Sequence, residues 1–156
     1  MSQLDASAEN FQAKFEQFLI NCDDAEQGSM WNREKYGEMQ DYYAGLIVSM
    51  ILRIVTSEGW ISDEDIEYLN LLFGFSYDGG ELEQVFEGCR ELVTSSNFEN
   101  QLRNSAIVLQ RIKEDLYQEF RQMVALIVDA FSHSEDFITE PQKEEILRLQ
   151  GIIDTI

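Results

Sequence analysis

Apolar residues recur at helical spacing along the whole of this chain. Phe11, Phe15 and Phe18 fall on one helical face near the N-terminus, and later segments keep intervals of three and four residues. Alternation of apolar and polar residues, which is typical of half-buried strands, is absent. The pattern therefore predicts an all-α fold. We expect a single helical domain over residues 1–156, with about six or seven helices, the first an amphipathic helix over residues 5–24.

Polar and glycine-containing segments divide the helical pattern. A loop with Gly28 as its breaker is expected over residues 23–30. Over residues 36–54 the apolar positions extend almost all round the helix, which is typical of a central buried helix. The periodic span over residues 102–131 is longer than most helices of compact domains, so a break is expected near Glu114.

The last helix has a local start signal. Thr139 is expected to be its N-cap, and Gln142, three residues later, completes a capping box. Pro141 falls in the first turn, where the missing N–H of proline costs no helical hydrogen bond.

A shift of 77 residues brings two segments into register, here named repeat one (residues 40–75) and repeat two (residues 117–153). Five apolar residues of repeat one, Leu46, Ile47, Met50, Ile51 and Ile54, fall on Met123, Val124, Ile127, Val128 and Phe131. Each copy predicts a buried helix, an acidic turn and a second amphipathic helix. The alternative is two ordinary helical hairpins, because apolar periodicity alone makes many helices look alike. The aromatic–Ile–hydroxyl–acid block shared by both turns favours a duplication.

The two turns carry a recognisable motif. Repeat one reads Glu58-Gly59-Trp60-Ile61-Ser62-Asp63-Glu64-Asp65, which resembles the Asp-Gly-x-Ile-Ser-x-x-Glu turn of the tellurite-resistance TerB-like family. Repeat two reads Glu135-Asp136-Phe137-Ile138-Thr139-Glu140-Pro141-Gln142, so Asp136 stands in place of the glycine and Gln142 in place of the last acid. The likeness covers roughly residues 40–156. It implies an all-α TerB-like fold, an association with tellurite or general stress resistance, metal binding, and no catalytic activity.

The acidic turns are the sharpest candidate for chemistry. Clustered carboxylate oxygens are the ligands that Ca²⁺ and Mg²⁺ prefer. If the two copies pack about a pseudo-dyad, both turns would lie on one side. The sequence thus predicts a divalent cation site, Ca²⁺ or Mg²⁺, formed by Glu58, Asp63, Asp65, Glu135 and Glu140. The competing explanation is that acids gather at helix N-termini because the helix dipole favours them there.

Composition limits the range of partners. The chain has 30 acidic and 11 basic residues, a net charge of -19, and its basic residues are scattered. Such a chain is repelled by nucleic acid and by anionic membranes. No apolar stretch is long enough to cross a bilayer, and the N-terminus lacks the features of a signal peptide, so we expect a cytoplasmic protein without membrane insertion. A cation, a small ligand or a protein with a basic surface stays attractive.

Catalytic groups are scarce. His133 is the only histidine, and the flanking Ser132 and Ser134 do not face it at adjacent positions of a helix end. Cys22 and Cys89 lie on apolar helix faces and are expected to be buried, inert thiols. No nucleophile–base pair is therefore expected, and the sequence favours a protein that is not an enzyme.

An aromatic group, Trp31, Tyr36, Tyr42 and Tyr43, precedes and begins the long helix. Core packing is expected for it, with a partner-binding patch as the alternative.

Taken with the TerB-like resemblance, these patterns favour a non-enzymatic cytosolic protein of stress or tellurite resistance. It would bind a partner or a divalent cation at its acidic turns. The alternative is an acidic interaction module that binds or masks a basic partner protein, with salt-sensitive association.

Overall fold

The computed structural model describes residues 3–56, 63–75, 77–132 and 139–155. Within these ranges the chain forms eight α-helices and no strand, which confirms the all-α prediction. The helices are α1 (Gln3–Glu26), α2 (Arg33–Tyr36), α3 (Met39–Val55), α4 (Asp63–Phe73), α5 (Gly79–Thr94), α6 (Phe98–Ile112), α7 (Glu114–Ser132) and α8 (Glu140–Thr155). α2 is a single turn of 4 residues, and each of the others has 11 residues or more. None of these described helices is long and apolar enough to cross a membrane.

The core is built around α3. This helix packs against α1, α5 and α8 and also touches α7, because apolar residues occupy almost every side of it. Buried side chains from every described helix except α2 join in one continuous cluster. Each large apolar side chain in it contributes about 1.5–3 kcal/mol relative to an exposed position.

The end of α1 differs from the sequence expectation. The helix continues to Glu26, into the loop predicted over residues 23–30. Ala25 packs against the core, and Glu26 caps the start of α3 by accepting a hydrogen bond from the Met39 backbone N–H at 2.5 Å. Arg33 forms an ion pair with the same carboxylate at 3.2 Å. Long-range contacts thus extend the helix beyond its local stop signal.

The start of the central helix also differs. Tyr36 lies in the separate short helix α2, because Gly37 adopts a left-handed φ of 77° that interrupts the helical backbone. Asn32 caps α2 by accepting from the Lys35 N–H at 3.1 Å. Two other local predictions are confirmed. The break near Glu114 is present, and the Thr139–Gln142 capping box forms, with the Thr139 N–H donating to Gln142 Oε1 at 3.0 Å.

A partly buried arginine joins three helices. Arg53 of α3 donates from Nε to Glu145 Oε1 of α8 at 3.1 Å. Its Nη1 donates to the carbonyls of Val93 and Ser95, at the C-terminal end of α5, at 2.8 and 3.0 Å. Because the last carbonyls of a helix have no partner within it, Arg53 satisfies groups that α5 cannot satisfy alone.

Helix boundaries keep the spacing of the proposed repeat. α3 ends at Val55 and α7 at Ser132, while α4 begins at Asp63 and α8 at Glu140, so both pairs lie 77 residues apart. The five paired apolar positions of the two copies are all buried. The turn residues 57–62 and 133–138, which carry the motif, lie outside the described residues. The duplication itself therefore stays a prediction.

Contacts between the two copies run across a common centre. Tyr43 and Phe120, which are equivalent under the 77-residue shift, pack edge to face with ring centroids 5.9 Å apart. The second helix of each copy reaches the first helix of the other, since Phe73 of α4 packs on Phe131 of α7 at 5.4 Å and α8 packs on α3. The exchange is unequal, since α8 packs on both α3 and α7, whereas α4 packs mainly on α1.

Candidate functional site

The five carboxylates of the predicted cation site are only partly within the described residues. Glu58 and Glu135 lie outside them, and for Asp65 the structure describes the backbone, in the first turn of α4. Asp63 and Glu140 are the first residues of α4 and α8, and both are exposed. Both thus stand at helix N-termini, where the helix dipole favours an acid.

The described part of the chain brings no cation site together. Glu140 forms an exposed ion pair with Lys143 at 3.4 Å. Among the described residues, no three His, Cys, Asp or Glu side chains are grouped closely enough to hold a metal ion. A site completed by Glu58, Asp65 and Glu135 stays a prediction.

The two thiols have different surroundings, and neither is in a disulfide. Cys22 is buried, as predicted, and burial raises the pKa of its thiol to about 12, with the Glu119 carboxylate adding to the rise. This thiol is protonated at neutral pH and is not a nucleophile. Cys89 is half-buried rather than buried, because α5 packs mainly on α3 and leaves its other sides open. Its thiol faces the Gly45 carbonyl of α3 at 3.9 Å. His133 lies outside the described residues.

Most basic residues of the described chain are held by the protein's own carboxylates. Ion pairs occupy Arg33, Arg53, Arg90, Arg103, Lys143 and Arg148. Because the chain has 30 acidic and 11 basic residues, this pairing leaves a large excess of carboxylates that no base neutralises. On α5, for example, Glu83 and Glu91 are both exposed and lie about two turns apart.

The aromatic group divides between core and surface. Tyr43 is buried, as predicted for core packing, and its hydroxyl donates to the Ser105 carbonyl at 2.7 Å. Tyr36 is 45% exposed, whereas Trp31 and Tyr42 are half-buried. These three rings, here named the aromatic platform, lie with centroids 5.3–5.6 Å apart and inclined to one another by 42–68°. Met30, next to Trp31, is 71% exposed.

Polar contacts hold the platform in place. The Trp31 indole N–H donates to the Gly37 carbonyl at 2.8 Å, and the Tyr42 hydroxyl is hydrogen-bonded to the Ser105 hydroxyl at 2.8 Å. Arg33 bridges Glu26 and Glu38 across the base of the loop. All these contacts are formed within the chain itself and need no partner.

Several acidic residues lie close to the platform residues in the sequence. Glu34, Glu38 and Asp41 are exposed and stand within two residues of Tyr36 or Tyr42. We name the platform, Met30 and these three acids the α2 surface. It combines aromatic rings and methionine, which are enriched at protein interfaces, with an acidic rim. The sequence indicated the aromatic group, but only the packing of Tyr43 in the core shows which rings stay open.

Comparison of the chain with protein-family models, with curated proteins and with solved structures gave no match. The TerB-like resemblance thus rests on the residues of the two turns alone.

Proposed function

We propose that this chain is a non-enzymatic interaction protein that binds a basic partner protein at the α2 surface. The observation that carries the proposal is that the exposed Met30 and Tyr36 and the half-buried Trp31 and Tyr42 lie with exposed acids in one segment, residues 30–42. Large apolar side chains exposed together mark interaction sites more often than single ones do. The net charge of -19 favours a partner with a positively charged surface.

The mechanism has two parts. Long-range attraction by the acidic chain raises the rate of encounter with a basic protein, and salt weakens it. Short-range contact with the aromatic platform then slows dissociation, since buried aromatic residues dominate the energy of most interfaces. Charge alone would bind any basic surface, so the rings supply the selectivity.

A pair of charge-matched variants tests this proposal. Glu34→Gln with Asp41→Asn removes two acids from the α2 surface, and Glu83→Gln with Glu91→Gln removes two from α5. The probe is a lysine–arginine–glycine peptide, and binding is measured by calorimetry at two ionic strengths. We expect the α2 variant to lose about 1 kcal/mol of binding free energy, and the α5 variant clearly less, because close charge pairs contribute about 0.2–1 kcal/mol each. Equal losses would mean that net charge alone drives binding, and the proposal would be wrong.

A second proposal concerns the TerB-like turns, in a role in tellurite or stress resistance. The contact between the equivalent residues Tyr43 and Phe120 supports it, because a pseudo-dyad there would carry both acidic turns to one side. A divalent cation bound by Glu58, Asp63, Asp65, Glu135 and Glu140 would offset their mutual repulsion. At a hundredfold excess over its Kd, such an ion stabilises the fold by about 2.7 kcal/mol.

Thermal melts at matched ionic strength test the cation site. Magnesium or calcium should raise Tm above the value in sodium, since screening of so acidic a chain is the same in both. Glu58→Gln with Asp65→Asn should abolish the divalent increment and leave the sodium effect. If the wild type shows no increment beyond sodium, the turns are only capped helix starts.

A further inference from the structure

The exposed apolar residues of the α2 surface differ in arrangement from those elsewhere. Among the described residues, the other large exposed apolar side chains stand singly on four different helices: Ile20, Leu71, Ile107 and Leu147. Met30 and Tyr36 instead lie on either side of Trp31 in the chain, in the segment between α1 and α3. Scattered exposed apolar residues are normal, but a group of neighbouring exposed apolar residues is not explained by the needs of the fold.

A cation already lies on the platform. The Lys35 ammonium is 5.2 Å from the centroid of the Tyr36 ring. The ring face is negative, and an ammonium or guanidinium within about 6 Å of it is attracted. Glu34 and Asp41 of the acidic rim strengthen this preference for a positive group, whereas Glu38 is already paired with Arg33 at 2.7 Å. Lys35 therefore shows that a positive group can lie against the Tyr36 ring.

We infer that the aromatic platform receives an arginine side chain of the basic partner, and that Lys35 is a built-in cation that this arginine displaces. The inference rests on the proposed function and names the group recognised. Arginine fits better than lysine because its planar guanidinium stacks on rings while its N–H edge donates to carboxylates. A lysine ammonium is a compact, strongly hydrated charge that cannot do both at once.

The experiment uses the full chain with Trp60→Phe, so that Trp31 is the sole tryptophan and its fluorescence reports on the platform. The probes are an arginine–glycine repeat peptide and a lysine–glycine repeat peptide of equal charge, at physiological ionic strength. We expect saturable quenching with both, and a Kd about threefold or more lower for arginine. Equal affinities for the two peptides would overturn the inference.

Ring removal has a matched control. Tyr36→Leu keeps an apolar side chain but removes the ring, and Phe86→Leu does the same on α5, where Arg90 lies over the Phe86 ring at 5.5 Å. Tyr36→Leu should weaken the arginine peptide about threefold to tenfold, and Phe86→Leu should leave its Kd unchanged. Far-UV circular dichroism confirms that both variants fold.

The displaced lysine gives a test in the opposite direction. Lys35→Met frees the ring face, and Lys14→Met removes the same charge from an exposed site on α1. Both changes make the chain more negative by one charge, but only Lys35→Met frees the ring face and removes the like charge beside it. Lys35→Met should tighten the arginine peptide about twofold or more beyond Lys14→Met.

The outcomes separate this inference from the proposed function. If the acidic α2 variant weakens peptide binding but Lys35→Met matches Lys14→Met, the inference fails and the proposed function stands. If Tyr36→Leu matches Phe86→Leu, the inference fails together with the role of the rings, and only the attraction of a basic partner by the acids of the α2 surface stands. If neither peptide binds at any ionic strength, both fail. If arginine binding depends on Tyr36 but not on Glu34 and Asp41, the inference stands and the charge-led function fails.

Discussion

Replacing Arg53 by Met measures how much of the fold depends on one ion pair. The Arg53 side chain is 14% exposed and that of Glu145 is 11% exposed, so both charges lie largely out of water. The Phe98 ring lies 4.5 Å from the guanidinium carbon. Met fills much of the same volume but donates no hydrogen bond. The Glu145 carboxylate and the last carbonyls of α5 therefore lose a donor together.

The expected cost follows from this burial. Removing one partner of a buried ion pair costs about 3–5 kcal/mol, because the other charge is left uncompensated. Arg148 offsets part of that cost, since it also contacts Glu145, at 3.3 Å. We expect Arg53→Met to lower the free energy of unfolding by about 3 kcal/mol, and Tm by about 6–12 °C for a domain of this size.

The control is the second arginine on the same carboxylate. Arg148→Met removes an equal charge from Glu145, but the Arg148 side chain is 57% exposed. Its pair should contribute less than about 1 kcal/mol. Urea unfolding followed by circular dichroism compares the two variants, and their difference excludes the general effect of a more negative chain. If the two variants lose the same stability, burial does not decide the strength of this network, and the reasoning is refuted.

Three further predictions rest on local geometry and on one buried thiol. Gly74→Ala should lower the unfolding free energy by about 1–2 kcal/mol, since φ is 71° and the added Cβ would lie 3.1 Å from Gln12 Cγ. Gly88→Ala adds a Cβ that meets nothing within 4 Å, so it should raise the unfolding free energy by up to about 1 kcal/mol. If urea unfolding shows that both substitutions change stability in the same direction, this account is contradicted. Thr139→Ala should cost about 1 kcal/mol through loss of the α8 cap, and an unchanged urea midpoint would exclude a role for the cap. As pH rises from about 8 to about 10, the wild type should lose about 1 kcal/mol more stability than Cys22→Ala. The Cys22 thiol ionises with a pKa near 9.0 in the unfolded chain, whereas burial raises its pKa in the folded protein to about 12. The unfolded state is therefore favoured as pH rises. Parallel stability profiles of the wild type and Cys22→Ala would show that the thiol ionises equally in both states.

Local signals explain the parts of the fold that the sequence predicted. The capping box of Thr139 and Gln142 involves residues three positions apart, so it can be recognised without any knowledge of the tertiary structure. The break at Glu114 follows from the length of the apolar pattern. Periodicity of three and four is likewise a property of a single helix.

Long-range contacts explain what the sequence could not predict. Arg53 reads in the sequence as an interruption of an apolar stretch, yet its partner Glu145 lies 92 positions away in the chain. Glu26 belongs to α1 in the structure because its carboxylate caps α3, which begins 13 residues later at Met39. Polar residues within apolar segments are therefore the positions at which helical periodicity is least informative.

The same distinction applies to the candidate site. The sequence grouped Trp31, Tyr36, Tyr42 and Tyr43, but it could not separate the buried ring from the open ones. Both Tyr42 and Tyr43 bond to Ser105, from 63 and 62 positions away, so the separation comes from the packing of the core around Tyr43. The acidic turns depend even more strongly on tertiary placement, since their convergence requires two segments 77 residues apart to meet.

The two proposals differ in how far they depend on the proposed duplication. Under the 77-residue shift, Tyr43 falls on Phe120, so the buried ring has an aromatic counterpart, whereas Tyr42 falls on Glu119 and Tyr36 on Lys113. A pair of related hairpins would thus account for the core, but the platform has no equivalent in repeat two. A duplication that supports the fold needs equivalent buried residues in both copies. A partner-binding surface does not need them, because its exposed residues can differ between the copies. The proposal for the α2 surface can therefore be tested independently of the proposed cation site, because the two share no residue.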